Sequence, residues 1–372
     1  MASSPIIAPA AQLGRATELV DLLARVPDPR DRRGVRYPLA GMLAVAVTAV
    51  LAGARSFAAI GDWAGEMTGE HLRRLGIGAA PDESTLRKVF ARVDADALDR
   101  QIGAFVWTRT HPVDDRRVIA IDGKTVRGAR TGRGTAPHLV AALDHASATV
   151  LGQLAVTAKS NEIPAVRTLL ASFDLTEAVV TVDAMHTQTD TAQVIIEAGG
   201  DYVFTVKNNQ PSLYAACKNL PWTEIPGHSH LTTGHGRRAR RTIKVVQAPA
   251  WVQFPGAGQI AQIRRTVTRA GKKTVEVVYV ITSADHQTGP PATLASWVQR
   301  HWAIENKLHW VRDVTYDEDR SQVRTGHTPQ IMATLRNTAI SLLRMTGWTS
   351  IAAGLRHHSR DPGRTLTCLL TC

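Results

Sequence analysis

Two short apolar runs, Val118–Ile121 and Ala178–Val182, each stop on an aspartate, Asp122 and Asp183. Runs of this length, rich in β-branched residues, read as strands buried in a sheet. A carboxylate at the edge of such a strand is costly unless it reaches water, finds a partner or binds a metal. Asp122 is followed at once by Gly123 and Lys124, with Arg127 close behind. Either it escapes to solvent at a turn, or it is placed there to hold something.

The surrounding pattern sets the architecture. Strand-like runs recur at Val118–Ile121, 138–144, 149–157, 178–183 and 201–207, with helix-like pieces at 161–173 and 189–199. Three closely spaced strands followed by helix, strand, helix, strand predict an α/β sheet. Its first three strands can form an antiparallel meander, and the later pairs need crossovers and run parallel. Residues 1–112 read as helical, with Asp82 or Ser84 as a helix cap and Leu86, Val89, Phe90 and Val93 on one face. With Arg87, Lys88 and Arg92 outward, this region suits either a helix-turn-helix-like DNA reader or a plain helical bundle. The expected divisions are 1–112, a catalytic domain over 113–345 with a β insertion at about 215–290, and a tail from 346 to 372. The close "TLTCLLTC" does not read as an ordinary helical finish.

Charge narrows the partners. Of 372 residues, 44 are Lys or Arg and 32 are Asp or Glu, a net charge of +12. That surplus favours a polyanion, nucleic acid first. Between Glu224 and Glu276 there is no acid, but ten cations: Arg237, Arg238, Arg240, Arg241, Lys244, Arg264, Arg265, Arg269, Lys272 and Lys273. Alternating runs here predict twisted strands whose cations meet phosphates, positioning DNA without reading its sequence. Three cysteines without metal-site spacing, and no secretory start, suit a reducing cytoplasmic interior. Residues 37–54 carry no charge over 18 positions. With Pro38, Gly41, Gly53 and much alanine, they suit a buried helix better than a membrane anchor.

The chemistry gathers on the acids. Two strands of one sheet that each end in aspartate bring two carboxylates together if they are neighbours, and such charges repel unless a divalent cation lies between them. Hard oxygens suit magnesium or manganese, and two ions about 4 Å apart can promote phosphoryl transfer. A long helix expected over 291–314 offers Glu305 as a third acid, with His301 and Arg312 on the same α-helical face. Asp313 and the cluster Asp317, Glu318 and Asp319 are rivals for that role. Trp297, Trp302 and Trp310 read as core residues.

"IAIDGKTVRG", "VTVDAMHTQ", "YVFTVKNNQPSLY", "HGRRARRTIKV" and "HWAIENKLHWVRDVTYDEDRS" occur in this order. Together they resemble the DDE transposases of bacterial insertion sequences, in the group that includes the H-repeat-associated proteins. The resemblance spans nearly the whole chain. It implies an RNase H-like core, a mixed sheet flanked by helices, with an inserted β region and an N-terminal all-helical domain. It implies Asp122, Asp183 and Glu305 as a triad binding two Mg2+ or Mn2+ ions for cleavage and strand transfer at element ends.

Lys124, Arg127, Lys207, Arg237, Arg238, Arg240, Arg241, Arg264, Arg265, His301 and Arg312 are then candidate DNA contacts. His186 and Gln188 could orient Asp183, and Asn209 and Gln210 could line the DNA groove or form a turn. The expected partners are double-stranded DNA and further copies of the chain, in the cytoplasm at the nucleoid, with no membrane. Where related transposases often carry tyrosine and arginine before the glutamate, this chain has Val298 and His301, with Arg300 adjacent. Where a lysine often follows, it has Arg312. The rival reading is a catalytically inactive or repurposed DNA-binding relative.

Overall fold

The computed structural model describes residues 18–112, 116–132, 134–156, 162–234 and 236–372. Its contacts divide the chain into two compact units. One is built from residues 18–112, 122–173 and 303–372, the other from 116–121 and 174–302.

The first unit opens with six helices: α1 Leu19–Leu23, α2 Leu39–Leu51, α3 Phe57–Glu66, α4 Gly69–Arg74, α5 Glu83–Phe90 and α6 Ala95–Arg109. Side-chain caps start four of them, as short polar residues do by satisfying a free amide. Ser56, Thr68, Asp82 and Asp94 accept from Ala59, His71, Thr85 and Ala97. Asp82, not Ser84, is the cap of α5. The uncharged stretch is α2, buried from Met42 to Leu51 and packed on α1 and α3. Among the described residues no helix is long and apolar enough to cross a membrane.

Strand β1, Val118–Thr125, contributes its second half to this unit, beside β2 (His138–Asp144) and β3 (Val150–Val156). β2 and β3 pair antiparallel, and α6 and α7 (Glu162–Leu170) pack on β3.

The second unit holds the first half of β1, then β4 Val179–Val182, α8 Thr189–Glu197, β5 Asp201–Val206, α9 Pro211–Lys218, β6 Gly227–Gly234, β7 Arg237–Gln247, β8 Gln259–Arg269, β9 Lys272–Thr282 and α10 Pro291–His301. The strand order here is β1-β4-β5-β9-β8-β7-β6. β1-β4 and β4-β5 are parallel, as their crossovers require, and every later pair is antiparallel. Val179, Val203, Ile243, Ala261, Val280, Leu294 and Trp297 form its buried centre. The strand β6, "GHSHLTTG", lacks apolar alternation and was not legible as a strand; its pairing with β7 makes it one.

The chain finishes in the first unit with α11 Thr328–Met345, α12 Ile351–His358 and α13 Pro362–Thr371. The last corrects the reading of "TLTCLLTC". Asp361 caps the helix at Gly363, Pro362 occupies its first turn, and Leu366, Cys368 and Leu369 are buried on one side. Helices α1–α6 share their unit with β2, β3 and these C-terminal helices.

Candidate metal centre

In the first unit, Asp122 follows the buried Ile121 on β1, and its side chain is 22% exposed. Glu305 and His309 approach it from the segment after α10. His309 Nδ1 lies 3.5 Å from Asp122 Oδ2 and 3.6 Å from Glu305 Oε2. One donor atom from each of the three falls within 4.8 Å of the others. The backbone of β1 can pass this close to its neighbours because position 123 is glycine. A Cβ there would overlap the carboxylate of Glu162 and the ring of His138, which are themselves joined at 2.9 Å.

The helical winding brings the other two donors in. A continuous α-helix over 291–314 was expected, but from Glu305 to His309 and from Val311 to Thr315 the chain winds as a π-helix. The amide of Trp310 bonds to the carbonyl of Glu305, and that of Tyr316 to Val311 at 3.2 Å. Such i→i+5 winding is rare and recurs at functional sites. It breaks the α-helical face that would group His301, Glu305 and Arg312. Asp313 instead meets Lys124, whose Nζ is 2.6 Å from its carboxylate. Lys124 is only 9% exposed and lies two residues past Asp122, on the same face of β1.

Arg312 is a correction. It was expected to hold a phosphate, but it is fully buried. Its Nε and Nη2 bond to Glu318 at 3.0 and 2.8 Å and its Nη1 to Gln153 at 3.2 Å. Arg336 Nη1 donates to Oε2 of the same carboxylate at 2.8 Å. Burial works against a charged Glu318, but the two guanidiniums override it and pull the group down to about 2. Glu318 is thereby spent on structure. The tryptophans are also corrected in part: Trp297 is buried, whereas Trp302 and Trp310 are 59% and 56% exposed.

Charge at the centre favours a cation. Burial first, then the negative charge of Glu305, pushes Asp122 up to about 7. His309 holds Glu305 below the usual carboxylate range. Two carboxylates this close share a proton in the absence of a cation. Burial lowers His309, and Glu305 acts against that shift. Carboxylate oxygens with one imidazole nitrogen form a donor set that fits a divalent ion.

In the second unit, Asp183 follows Val182 on β4. Lys207 Nζ stands 3.2 Å from it. Burial opposes ionisation, but the Ala184 amide and Lys207 hold Asp183 below its usual value. Lys207, expected at DNA, is therefore engaged by the aspartate. Asn209 and Gln210 brace the turn after it, donating to the carbonyls of Ala184 (2.7 Å) and Thr187 (2.9 Å). His186 is buried in that turn, and Gln188 bonds to its backbone. His301 Nδ1 lies 3.0 Å from Thr181 Oγ1.

The basic insertion is the antiparallel array β6–β9. Arg241 faces Arg265, Arg237 faces Arg269 and Arg269 faces Lys272 across the ladders. Like charges directly opposite one another destabilise a sheet. The one acid against them is Glu276, 3.7 Å from Arg265. Burial, then Arg265 and Arg237, lower Arg241. Arg238, Arg240 and Arg264 are exposed, on the opposite face by strand alternation. Arg127, in the first unit, is exposed and 3.5 Å from Asp319.

Sequence reasoning missed His309. Its signal was the Glu305-x-x-x-His309 spacing, which sets two donors one turn apart.

A family model described as transposase DDE domain matches residues 114–342, and one described as DDE_Tnp_1-associated matches 20–106. "Putative transposase YncI" of Escherichia coli O157:H7 is 33% identical over 346 residues, covering 88% of this chain and 87% of its own length. "H repeat-associated putative transposase YhhI" of Escherichia coli K12 is 32% identical over 364 residues, covering 92% and 94%. The cryo-EM structure of a piggyBac transposase synaptic complex with hairpin DNA aligns at TM-score 0.45 and 11% identity, over 99% of this chain and 82% of that one.

Proposed function

The chain belongs to the DDE transposase family, and from that premise we propose that it cuts DNA at insertion-sequence ends and joins them to a target. Asp122, Asp183 and Glu305 are the metal-binding carboxylates of this reading, with two Mg2+ or Mn2+ ions. The observation that carries it is the meeting of Asp122 and Glu305 within reach of one ion, from positions 183 residues apart in sequence (305 − 122). A second observation supports Asp183: parallel pairing of β1 with β4 ends at Ile121 and Val182, and both aspartates come next.

Divalent ions at these carboxylates would supply Lewis acidity toward the scissile phosphate and lower the pKa of an attacking hydroxyl. The protein's own groups do the rest. Asp122 and Glu305 orient their oxygens toward a common point. Lys124, held by Asp313, keeps a positive charge beside Asp122. Lys207 does the same for Asp183. The arginines of β7 and β8, with Arg127, grip phosphates along the duplex and fix its register without reading bases. Two or more copies of the chain would bring two element ends together at the nucleoid.

The test is cleavage and joining of a matched element end with Mg2+, comparing the parent with Asp122→Ala, Asp183→Ala and Glu305→Ala. Loss of both steps in all three variants, with DNA binding kept, supports the reading. Joining at parental rate in any one removes that residue from the triad. A parent that binds the end but neither cuts nor joins it would be the inactive DNA-binding relative.

A further inference from the structure

We propose that His309 is a third protein ligand to the divalent ion, through Nδ1, alongside Asp122 and Glu305. The inference rests on the metal-binding reading of those two carboxylates and adds a nitrogen donor to it.

The spacing argues for coordination. His309 Nδ1 stands 3.5 Å and 3.6 Å from the two carboxylate oxygens. Both distances exceed an N–H···O hydrogen bond of about 2.7–3.2 Å. They are close to the separation of two donors that share one ion. Bonds of about 2.0–2.2 Å meeting at a right angle or slightly wider put donors roughly 3.0–3.5 Å apart.

The ring's surroundings argue the same way. His309 is 5% exposed, and its Nε2 is buried with no hydrogen-bond partner. Nδ1 is the ring nitrogen that faces both carboxylates, and its lone pair is free for an ion in the tautomer that carries the proton on Nε2. The π-winding starts at Glu305 and ends its first stretch at His309, so the local distortion spans the two donors. Asp313 is no rival, because Lys124 holds it at 2.6 Å. An imidazole in the set shifts preference from magnesium toward manganese, cobalt or zinc.

The experiment is pulsed EPR on the full-length chain with Mn2+ as probe, comparing the parent, His309→Gln and an Asp122→Asn, Glu305→Gln double variant. The parent should show nitrogen modulation of the bound Mn2+, and 15N-histidine labelling, which alters no side chain, should convert its pattern. His309→Gln should lose the modulation and bind Mn2+ about tenfold or more weakly, since even an outer-shell partner of a ligand is worth that much. If the parent binds Mn2+ at the carboxylates without nitrogen coupling, or the coupling survives in His309→Gln, His309 is not a ligand and the carboxylate reading stands. If the parent binds Mn2+ no better than the double variant, the carboxylate reading falls and the proposal with it.

Discussion

Ile121 and Val182 are partners in neighbouring parallel strands, both buried, and each is followed at once by an aspartate. Parallel strands carry their C-terminal ends to the same sheet edge. Within the first unit, the burial of Asp122 and the negative charge of Glu305 beside it make the metal-free protein sensitive to pH and to single substitutions.

Asp122 is raised to about 7 in the folded chain, against about 3.9 unfolded. The folded state therefore binds more protons between those values, and stability falls as pH rises through that window. Urea unfolding of the metal-free chain should show lower stability at pH 8 than at pH 5. Asp122→Asn should remove part of that difference and stabilise the chain at pH 8 by about 1–2 kcal/mol, the remainder coming from Asp99, which burial also raises to about 7. An Asp122→Asn chain with the parental pH dependence would place the sensitivity elsewhere.

The same proton competes with the ion. Mn2+ affinity, read by calorimetry, should climb with pH up to about 7, where Asp122 has ionised, and level off above it. The slope below that point should approach tenfold per pH unit if one proton leaves for each ion bound. Flat affinity from pH 5 to 8 would exclude Asp122 as the ligand that titrates.

Glu318 works with the opposite sign. Its group is lowered to about 2 by Arg312 and Arg336 despite burial, so its stabilisation is complete above about 4.5 and is lost as pH falls toward 2. Glu318→Gln leaves two buried guanidiniums without their anion and should cost about 3–5 kcal/mol near neutral pH. A thermal melt within a degree of the parent would contradict this.

At Gly123, alanine should push the Glu162 and His138 pair away from β1. The expected loss is about 1–3 kcal/mol, as for other overpacked sites, with Mn2+ affinity falling as Asp122 is displaced. An alanine variant with parental melting and parental Mn2+ binding would show that the strand has room to give.

On the β array, Arg237→Ala with Arg269→Ala removes facing cations. If each meets one phosphate, the slope of log affinity against log salt should shrink by about 1.8, near 0.9 per contact. Mn2+ binding should not change. An unaltered slope would take the array off the DNA.

Local sequence carried a large part of this protein. Apolar runs that close on Asp122 and Asp183, the uncharged α2, and the acid-free basic strands could all be read directly. Strand burial and side-chain alternation are properties of neighbouring residues. What only the tertiary structure decided lies around Glu305. Whether a helix bonds i→i+4 or i→i+5 depends on what its side chains must reach, and here Arg312 reaches Glu318 and Gln153 in the interior while Asp313 reaches Lys124. An arginine seven residues past a candidate metal ligand looks like a phosphate contact until its partner is known. His309 carries no local mark of its burial, and Trp302 and Trp310 carry none of their exposure. Those outcomes follow from long-range contacts, and no window of sequence contains both sides of such a contact.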